Sequence, residues 1–137
     1  MILYNSETDF VLEQAENISD WIAKTIESEG KSEGDISYIF CDDDYLLDIN
    51  VKYLNHNTLT DIISFDYTDD GLISGDVFVS IDRVKENAEK FNVSFQDELH
   101  RVMIHGILHF CGYKDKTKEE EQLIRSKEDY YLSLRTF

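Results

Sequence analysis

The sequence predicts one α+β domain spanning residues 1–137, in which a small mixed β-sheet packs against about five helices. Four short apolar segments predict strands, and five longer segments with apolar residues at steps of three and four predict helices. Their order is strand, helix, strand, helix, hairpin and three helices. The chain has the length of a single domain with its own core, and no linker or low-complexity segment divides it.

The first half of the chain predicts two strands and two helices. Residues 2–5 are expected to form a strand and residues 10–28 a helix. Apolar residues at helical spacing define one face of this helix: Val11, Ala15, Ile18, Ile22 and Ile26. A strand follows at 35–41. The next helix, at about 43–53, begins in the acidic run 42–44, which suits the positive end of a helix dipole better than a calcium loop.

The second half predicts a β-hairpin and three helices. Strands at 62–67 and 74–80 flank a turn at 68–71, which favours antiparallel pairing. The three helices are predicted at residues 82–91, from Ser94 to about Cys111, and from Thr117 onward. The middle helix of these three carries the most informative residues of the chain.

Two histidines on that middle helix predict a metal site. His105 and His109 are four residues apart, which places both imidazoles on one helix face, one turn apart. Gly112 indicates the end of the helix, and Asp115 lies just beyond it, where its carboxylate could join them. Two histidines, one carboxylate and a position open to water are typical of a catalytic zinc site. From the spacing alone, an accidental pair is an equal alternative.

Two nearby residues of metal-binding type are expected to have structural roles instead. Cys111 lies two residues from His109, about 200° away around a helix. His100 lies five residues before His105, about 140° away. We expect neither to share the helix face that carries the metal ligands.

Composition limits the compartments and partners of the chain. The net charge of −16 repels nucleic acid and anionic membranes at long range, although a metal and a few cations can outweigh this field inside a cleft. No apolar run approaches the roughly 20 residues of a membrane span, and the N-terminus does not resemble a signal peptide. The cytoplasm is the expected compartment, and its reducing conditions suit two free cysteines.

Gly106 distinguishes the motif from that of the zinc peptidases. Those enzymes place a glutamate general base directly after the first histidine, and here that position is a glycine. A peptidase would therefore need a carboxylate from elsewhere in the chain. A glycine leaves room beside the metal for a bulky substrate, or permits a close backbone approach. Gly106 thus disfavours the peptidase alternative.

The segment 105–115, HGILHFCGYKD, closely resembles the motif HGxLHLxGYDH of the bacterial YbeY family. The members of this family are metal-dependent single-strand endoribonucleases of ribosomal RNA maturation. Upstream, TDIISF at residues 60–65 is similar to the family's TDVLSF strand, and GDVFVS at 75–80 is similar to its GDIxIS strand. The resemblance covers about residues 50–115 in the order and spacing of the family.

The resemblance implies a zinc ion, or another divalent metal, on His105, His109 and Asp115. Water activated by that metal would cleave a phosphodiester bond of single-stranded or ribosomal RNA. The chain departs from the family at two positions of the motif, because the third metal histidine falls at Asp115 and the preceding aspartate at Lys114. Aspartate is an acceptable zinc ligand, so a site of this kind is retained with a harder and more anionic oxygen.

The resemblance also implies residues that contact the substrate. Three of them map near the cleft: Thr60, Asp61 and Ser64. Capping or ordinary strand roles fit these three equally well. The family has a phosphate-binding arginine after a loop tyrosine, and here Leu54 occupies that position. His56, Lys114 or Lys52 could substitute for that arginine.

One further alternative is a non-catalytic ribosome-assembly factor. In that case the metal would hold the fold together, and the acidic surface would bind basic ribosomal proteins. The missing arginine favours this alternative, while the motif and the upstream strands favour the endoribonuclease. We take the endoribonuclease as the principal hypothesis and a contact with ribosomal proteins as a possible companion to it.

Overall fold

Four strands and five helices form the chain in a computed structural model, which describes residues 1–137. In chain order they are β1 (Ile2–Ser6), α1 (Ala15–Ser28), β2 (Ser32–Cys41), α2 (Asp43–Leu54), β3 (Ile62–Asp66), β4 (Leu72–Ser80), α3 (Ile81–Phe91), α4 (Phe95–Phe110) and α5 (Lys118–Ser133). The α+β prediction with about five helices is confirmed. Each helix falls short of the length and apolarity that a membrane span requires.

The strands form one mixed sheet in the order β1-β2-β4-β3. The pairs β1–β2 and β2–β4 are parallel, and helices lie in the connections that such parallel pairs require. The pair β3–β4 is antiparallel, with Ser64 opposite Val77, as predicted for the hairpin. β3 is therefore an edge strand, and its first residues lie beside the C-terminal end of β4.

Helix α4 packs across the sheet and forms the centre of the core. Its most deeply buried side chains are those of Leu99, Met103, Ile104, Ile107 and Leu108. The Tyr38 hydroxyl of β2 donates a hydrogen bond to the Met103 carbonyl over 2.8 Å. A Cβ on Gly106 would lie 3.2 Å from Ile62 Cδ1 and 3.3 Å from Val77 Cγ1. Gly106 therefore permits a close approach of α4 to the sheet, and a larger residue there would have to displace side chains of β3 and β4.

Side-chain caps explain where two of the helices begin. Asp42 accepts a hydrogen bond from the Tyr45 backbone N–H over 2.8 Å at the start of α2. This confirms that the acidic run forms a helix N-terminus. At the start of α4, the Ser94 hydroxyl accepts from the Asp97 backbone N–H over 3.0 Å. This cap fixes the first turn of the helix that carries the two histidines.

The prediction for the first helix was wrong at its N-terminal end. Helix α1 begins at Ala15 and not at residue 10, because Gln14 adopts a left-handed conformation with φ of 62°. The Phe10 ring instead packs edge-on against Phe40 at 5.1 Å between ring centroids. Val11, which was predicted on the apolar face, is 77% exposed. The tertiary contact of Phe10 thus overrides the helical periodicity of residues 10–14.

His100 lies in the core beside the C-terminus, away from His105 and His109. Its ring is near those of Trp21 and Phe137, at 6.0 and 5.3 Å between centroids. The Arg135 guanidinium donates a hydrogen bond to His100 Nδ1 over 2.7 Å, and Nε2 has no partner. Burial, together with the Arg135 charge, lowers the pKa of His100 to about 4 from 6.5.

The low pKa of His100 predicts an acid-dependent loss of stability. Between about pH 6.5 and pH 4 the unfolded chain binds a proton that the folded chain does not, so the free energy of unfolding falls as the pH falls. His100→Gln lacks this titration. From pH 7 to pH 4.5, we expect wild type to lose about 1–2 kcal/mol more of its free energy of unfolding than the variant loses. This figure is discounted for solvent near the ring. Urea unfolding of both chains measures it, and parallel stability curves would contradict it.

Candidate active site

The end of α4 brings together three side chains that could hold a metal ion. His105 and His109 lie on one face of α4, one helical turn apart, and their Nε2 atoms are 2.9 Å from each other. The helix ends at Phe110, and Gly112 turns the chain with a φ of 109°, a conformation that favours glycine. This turn carries Asp115 back, so that its Oδ2 lies 3.4 Å from His105 Nε2 and 3.3 Å from His109 Nε2.

Hydrogen bonds on the far side of each ring orient the two histidines. His105 Nδ1 lies 2.6 Å from Glu128 Oε2, and His109 Nδ1 lies 2.9 Å from the Tyr113 carbonyl oxygen. Since both partners are acceptors, each Nδ1 carries the donated proton and each Nε2 presents a lone pair. Two ring lone pairs and an oxygen of Asp115 therefore converge on one point.

The convergent donor set fits a divalent cation. Ligand atoms about 2.1 Å from a tetrahedral ion lie about 3.4 Å from one another. The distances from Asp115 to the two histidines are close to this value, and the two Nε2 atoms, 2.9 Å apart, would move slightly apart around an ion. Two imidazoles and one carboxylate suit zinc and similar first-row metals. Cys111 and His100 do not belong to this group of potential ligands. The side chain of Asp115 is 43% exposed, so the site opens towards solvent.

Glu128 and Arg101 form a network behind His105 that the sequence did not predict. Glu128 is buried in α5, and its Oε1 accepts a hydrogen bond from Arg101 over 2.9 Å. A second guanidinium nitrogen of Arg101 donates to Asp129 over 2.6 Å. Burial of His105 lowers its pKa, but the hydrogen bond and charge of Glu128, with the charges of Asp115 and Asp61, outweigh it and raise that pKa.

The convergent group lies in a cavity of about 580 Å³ between α4, α5, α3 and the start of β3. Its lining includes the three potential metal ligands together with Thr60, Asp61 and Ser64. His56 and Lys114 are exposed and do not line it, and neither does Leu54. The cavity thus brings six of the eight predicted site residues together and leaves His56 and Lys114 outside.

The walls of the cavity are strongly acidic and carry two cations. Besides the metal-binding group, its charged lining residues are Asp61, Glu98, Arg101, Glu121, Arg125 and Glu128. Burial raises the pKa of Asp61, and the charge of Glu128 adds to that effect. Burial and the charge of Asp61 likewise raise the pKa of Glu98. Inside this negative field a cation among the ligands would be strongly stabilised.

Comparison with known proteins gives one consistent result. The family model described as Endoribonuclease YbeY matches residues 3–135. Relatives named Endoribonuclease YbeY from Flavobacterium johnsoniae and Flavobacterium psychrophilum are 59% and 58% identical over 134 residues, which cover 98% of this chain and 96% of each relative. A relative of the same name from Cytophaga hutchinsonii is 46% identical over 138 residues, which cover 100% of this chain and 96% of the relative.

The fold has a solved counterpart. The solution structure of TM1509 from Thermotoga maritima aligns with a TM-score of 0.70 at 25% sequence identity, over 97% of this chain and 87% of that one. The sequence matches favour the endoribonuclease interpretation over a zinc peptidase and over a non-catalytic assembly factor. The motif at residues 105–115, the mixed sheet and the matches over nearly the whole chain agree, and the chain belongs to the endoribonuclease YbeY family.

Proposed function

We propose that the chain is a metal-dependent endoribonuclease that cleaves single-stranded RNA during ribosomal RNA maturation in the cytoplasm. One zinc ion would be held by His105, His109 and Asp115. The observation that carries the proposal is the convergence of two histidine Nε2 atoms and an Asp115 oxygen at one point of an open cavity. Because three acceptors face one another there, a cation is the natural occupant.

The chemistry divides between the metal and the chain. A bound divalent cation would supply Lewis acidity towards a phosphoryl oxygen or an attacking water. Glu128 and the Tyr113 carbonyl hold the two imidazoles in the tautomer that leaves Nε2 free. An extended strand would enter from the solvent side of the cavity, where Asp115 is 43% exposed.

The substrate would pass along β3, opposite the histidines. Thr60, Asp61 and Ser64 line that wall of the cavity, and the Ser64 hydroxyl forms no hydrogen bond within the chain. A free hydroxyl at this position can donate to a phosphate or ribose oxygen. His56 and Lys114, which lie outside the cavity, would meet the RNA only where it leaves the site.

Arg125 is our proposed replacement for the missing phosphate-binding arginine. The two cations of the cavity wall differ, because Arg101 is bound to Glu128 and Asp129 whereas the Arg125 guanidinium forms no ion pair. An unpaired guanidinium can bind a phosphate through two parallel hydrogen bonds. Arg125 lies on the exposed side of α5, one turn before Glu128, and lines the same cavity as the potential metal ligands.

Arg125→Ala is expected to weaken the binding of single-stranded RNA about 5- to 10-fold at low salt. The salt dependence of the affinity should show about one fewer counterion released on binding. The loss arises because one phosphate contact disappears from the cavity wall. Lys118→Ala removes the same charge from α5 at a position outside the cavity, and serves as the control. Titrating a fluorescent RNA at several salt concentrations measures both variants. Equal losses for Arg125→Ala and Lys118→Ala would show only a long-range charge effect.

Asp115 is the ligand at which the chain departs from the family motif, and two variants test it. Asp115→Ala should lower zinc affinity by at least about 100-fold, because the ligand set falls to two histidines. Asp115→His restores the residue of the family motif and should keep the metal. Competition with a chromogenic chelator gives both affinities. An unchanged affinity of the alanine variant would remove Asp115 from the ligand set.

The activity itself separates the three hypotheses. The zinc-loaded chain should cleave a single-stranded RNA, spare a duplex of the same sequence and an unstructured peptide, and lose activity on chelation. Cleavage of the peptide instead would identify a peptidase. A chain that retains zinc but cleaves nothing above the chelated control would be the assembly factor.

A contact with basic ribosomal proteins remains part of the proposal. The net charge of −16 supports it, since such a surface attracts cationic partners and repels free RNA outside the cleft.

A further inference from the structure

The cavity extends well beyond the metal-binding group. Glu98 lies on the same face of α4 as His105 and seven residues before it, which is about 10 Å along the helix axis. At this end α3 and α4 meet in a tight turn, and α3 contributes Asn87 and Phe91 to the cavity wall. This second end, formed by Asn87, Phe91 and Glu98, takes no part in the arrangement of the metal ligands.

Glu98 has no partner within the chain. The residue is 6% exposed as a whole, its carboxylate forms no hydrogen bond or ion pair, and its oxygens are open to the cavity. Burial and the nearby charge of Asp61 raise its pKa, while Arg101 and Arg125 act in the opposite direction. A carboxylate on a cavity wall whose oxygens have no partner in the chain can accept from a ligand that offers two adjacent donors.

The other two residues of this end suit an aromatic ligand with polar edges. Phe91 is 50% exposed even though it is a large aromatic side chain on the cavity wall. Asn87 lies one turn earlier on the same face of α3, and its amide forms no hydrogen bond in the chain. An exposed ring for stacking, next to an amide and a carboxylate for hydrogen bonding, is how proteins hold an unpaired base.

We propose that Phe91, Asn87 and Glu98 form a nucleobase subsite that selects guanine one nucleotide away from the scissile phosphate. The inference rests on the proposed endoribonuclease function and adds a sequence preference to it. Guanine carries two adjacent donors, N1–H and the 2-amino group, which match the two oxygens of one carboxylate. Uracil presents one donor between two acceptors and would leave a Glu98 oxygen unpaired.

A second cation is the other ligand that an unpaired carboxylate could take. The group of at least three convergent metal-binding residues comprises His105, His109 and Asp115, and Glu98 is not among them. Both cavity arginines act on Glu98 electrostatically and would repel a cation there. The base therefore fits this end better than the cation does.

Binding of mononucleotides tests the subsite without depending on cleavage. With equimolar zinc present, guanosine 5′-monophosphate should bind the wild-type chain about tenfold more tightly than uridine 5′-monophosphate. Inosine 5′-monophosphate lacks the 2-amino group and should fall between them. Glu98→Gln should bring the ratio close to one, because an amide offers one acceptor beside a donor. Glu89→Gln, an exposed change of the same kind on α3, should keep the preference.

A second variant covers the case in which Glu98→Gln does not fold. Phe91→Leu should weaken the binding of all three nucleotides about equally, since stacking does not depend on the edge of the base.

Cleavage of an oligouridine RNA with one internal guanosine gives a second test of the preference. The wild-type chain should cut next to that guanosine, and Glu98→Gln should lose this bias.

The outcomes separate the two proposals. Equal binding of the guanosine and uridine nucleotides to wild type, or a preference that survives in Glu98→Gln, would overturn the subsite. So would a second bound zinc per chain that disappears in Glu98→Gln. A clear guanosine preference in a chain that cleaves no RNA would support the subsite while refuting the proposed function.

Discussion

His109→Ala should bind zinc at least about 100-fold more weakly than wild type and cleave RNA about a thousandfold more slowly. The reason is that Nε2 of His109 is one of three convergent ligand atoms, and two remaining ligands hold a cation poorly. A metal supplies several kcal/mol of transition-state stabilisation, and each 1.36 kcal/mol corresponds to a factor of ten. Metal analysis of the purified variant and a cleavage time course measure the two effects.

The stability of His109→Ala separates catalysis from a structural role. The His109 side chain is 28% exposed, so the chelated variant should lose no more than about 1 kcal/mol relative to chelated wild type. His56→Ala removes an exposed imidazole outside the cavity and should keep its metal. If His109→Ala binds zinc as wild type does, the ligand assignment is refuted.

The convergence of the three candidate metal ligands could be predicted because they are local in sequence. His105, His109, Gly112 and Asp115 lie within eleven residues, so helix periodicity and one glycine turn suffice to bring them together. No packing between distant elements is needed for this step. The part of the cavity wall that includes Thr60 could be predicted only from the resemblance of residues 60–65 to a family motif.

The residues that support the site could not be predicted in the same way. Glu128 is 23 residues from His105 along the chain, and only the packing of α5 against α4 brings the carboxylate to the ring. Its spacing from Ile124 and Tyr131 places it on the buried face of α5, but the sequence does not show which side chain it would meet there. Glu98 is different. It lies two turns before His105 on one face, and extending the helical periodicity of the histidine pair would have found it.

The role of Gly106 also needed the fold. Its sequence position argued against a peptidase base, and two explanations for the glycine were open: space for a substrate or a close backbone approach. The contacts with Ile62 and Val77 favour the second, because the glycine faces the sheet and does not line the cavity. Such a distinction depends on the rotation of α4 about its axis, which is set by the whole core.

Glu128→Gln should lower zinc affinity about 10- to 100-fold and the free energy of unfolding by about 1–3 kcal/mol. The buried carboxylate orients His105 through Nδ1 and raises the basicity of its Nε2, and it also neutralises part of the charge of Arg101. The neutral amide keeps the shape of the side chain but removes the negative charge that faces both His105 and Arg101. Chelator competition and urea unfolding of the metal-free chain measure the two losses separately.

Asp129→Asn is the matched control, because Asp129 pairs with the same guanidinium but its side chain is 61% exposed. We expect it to cost less than about 1 kcal/mol and to leave zinc affinity unchanged, since exposed ion pairs contribute little and Asp129 forms no hydrogen bond to His105. If both variants lose zinc affinity to the same extent, the effect passes through Arg101 and not through the Glu128–His105 hydrogen bond. If only Glu128→Gln does, the hydrogen bond to His105 tunes the metal ligand directly.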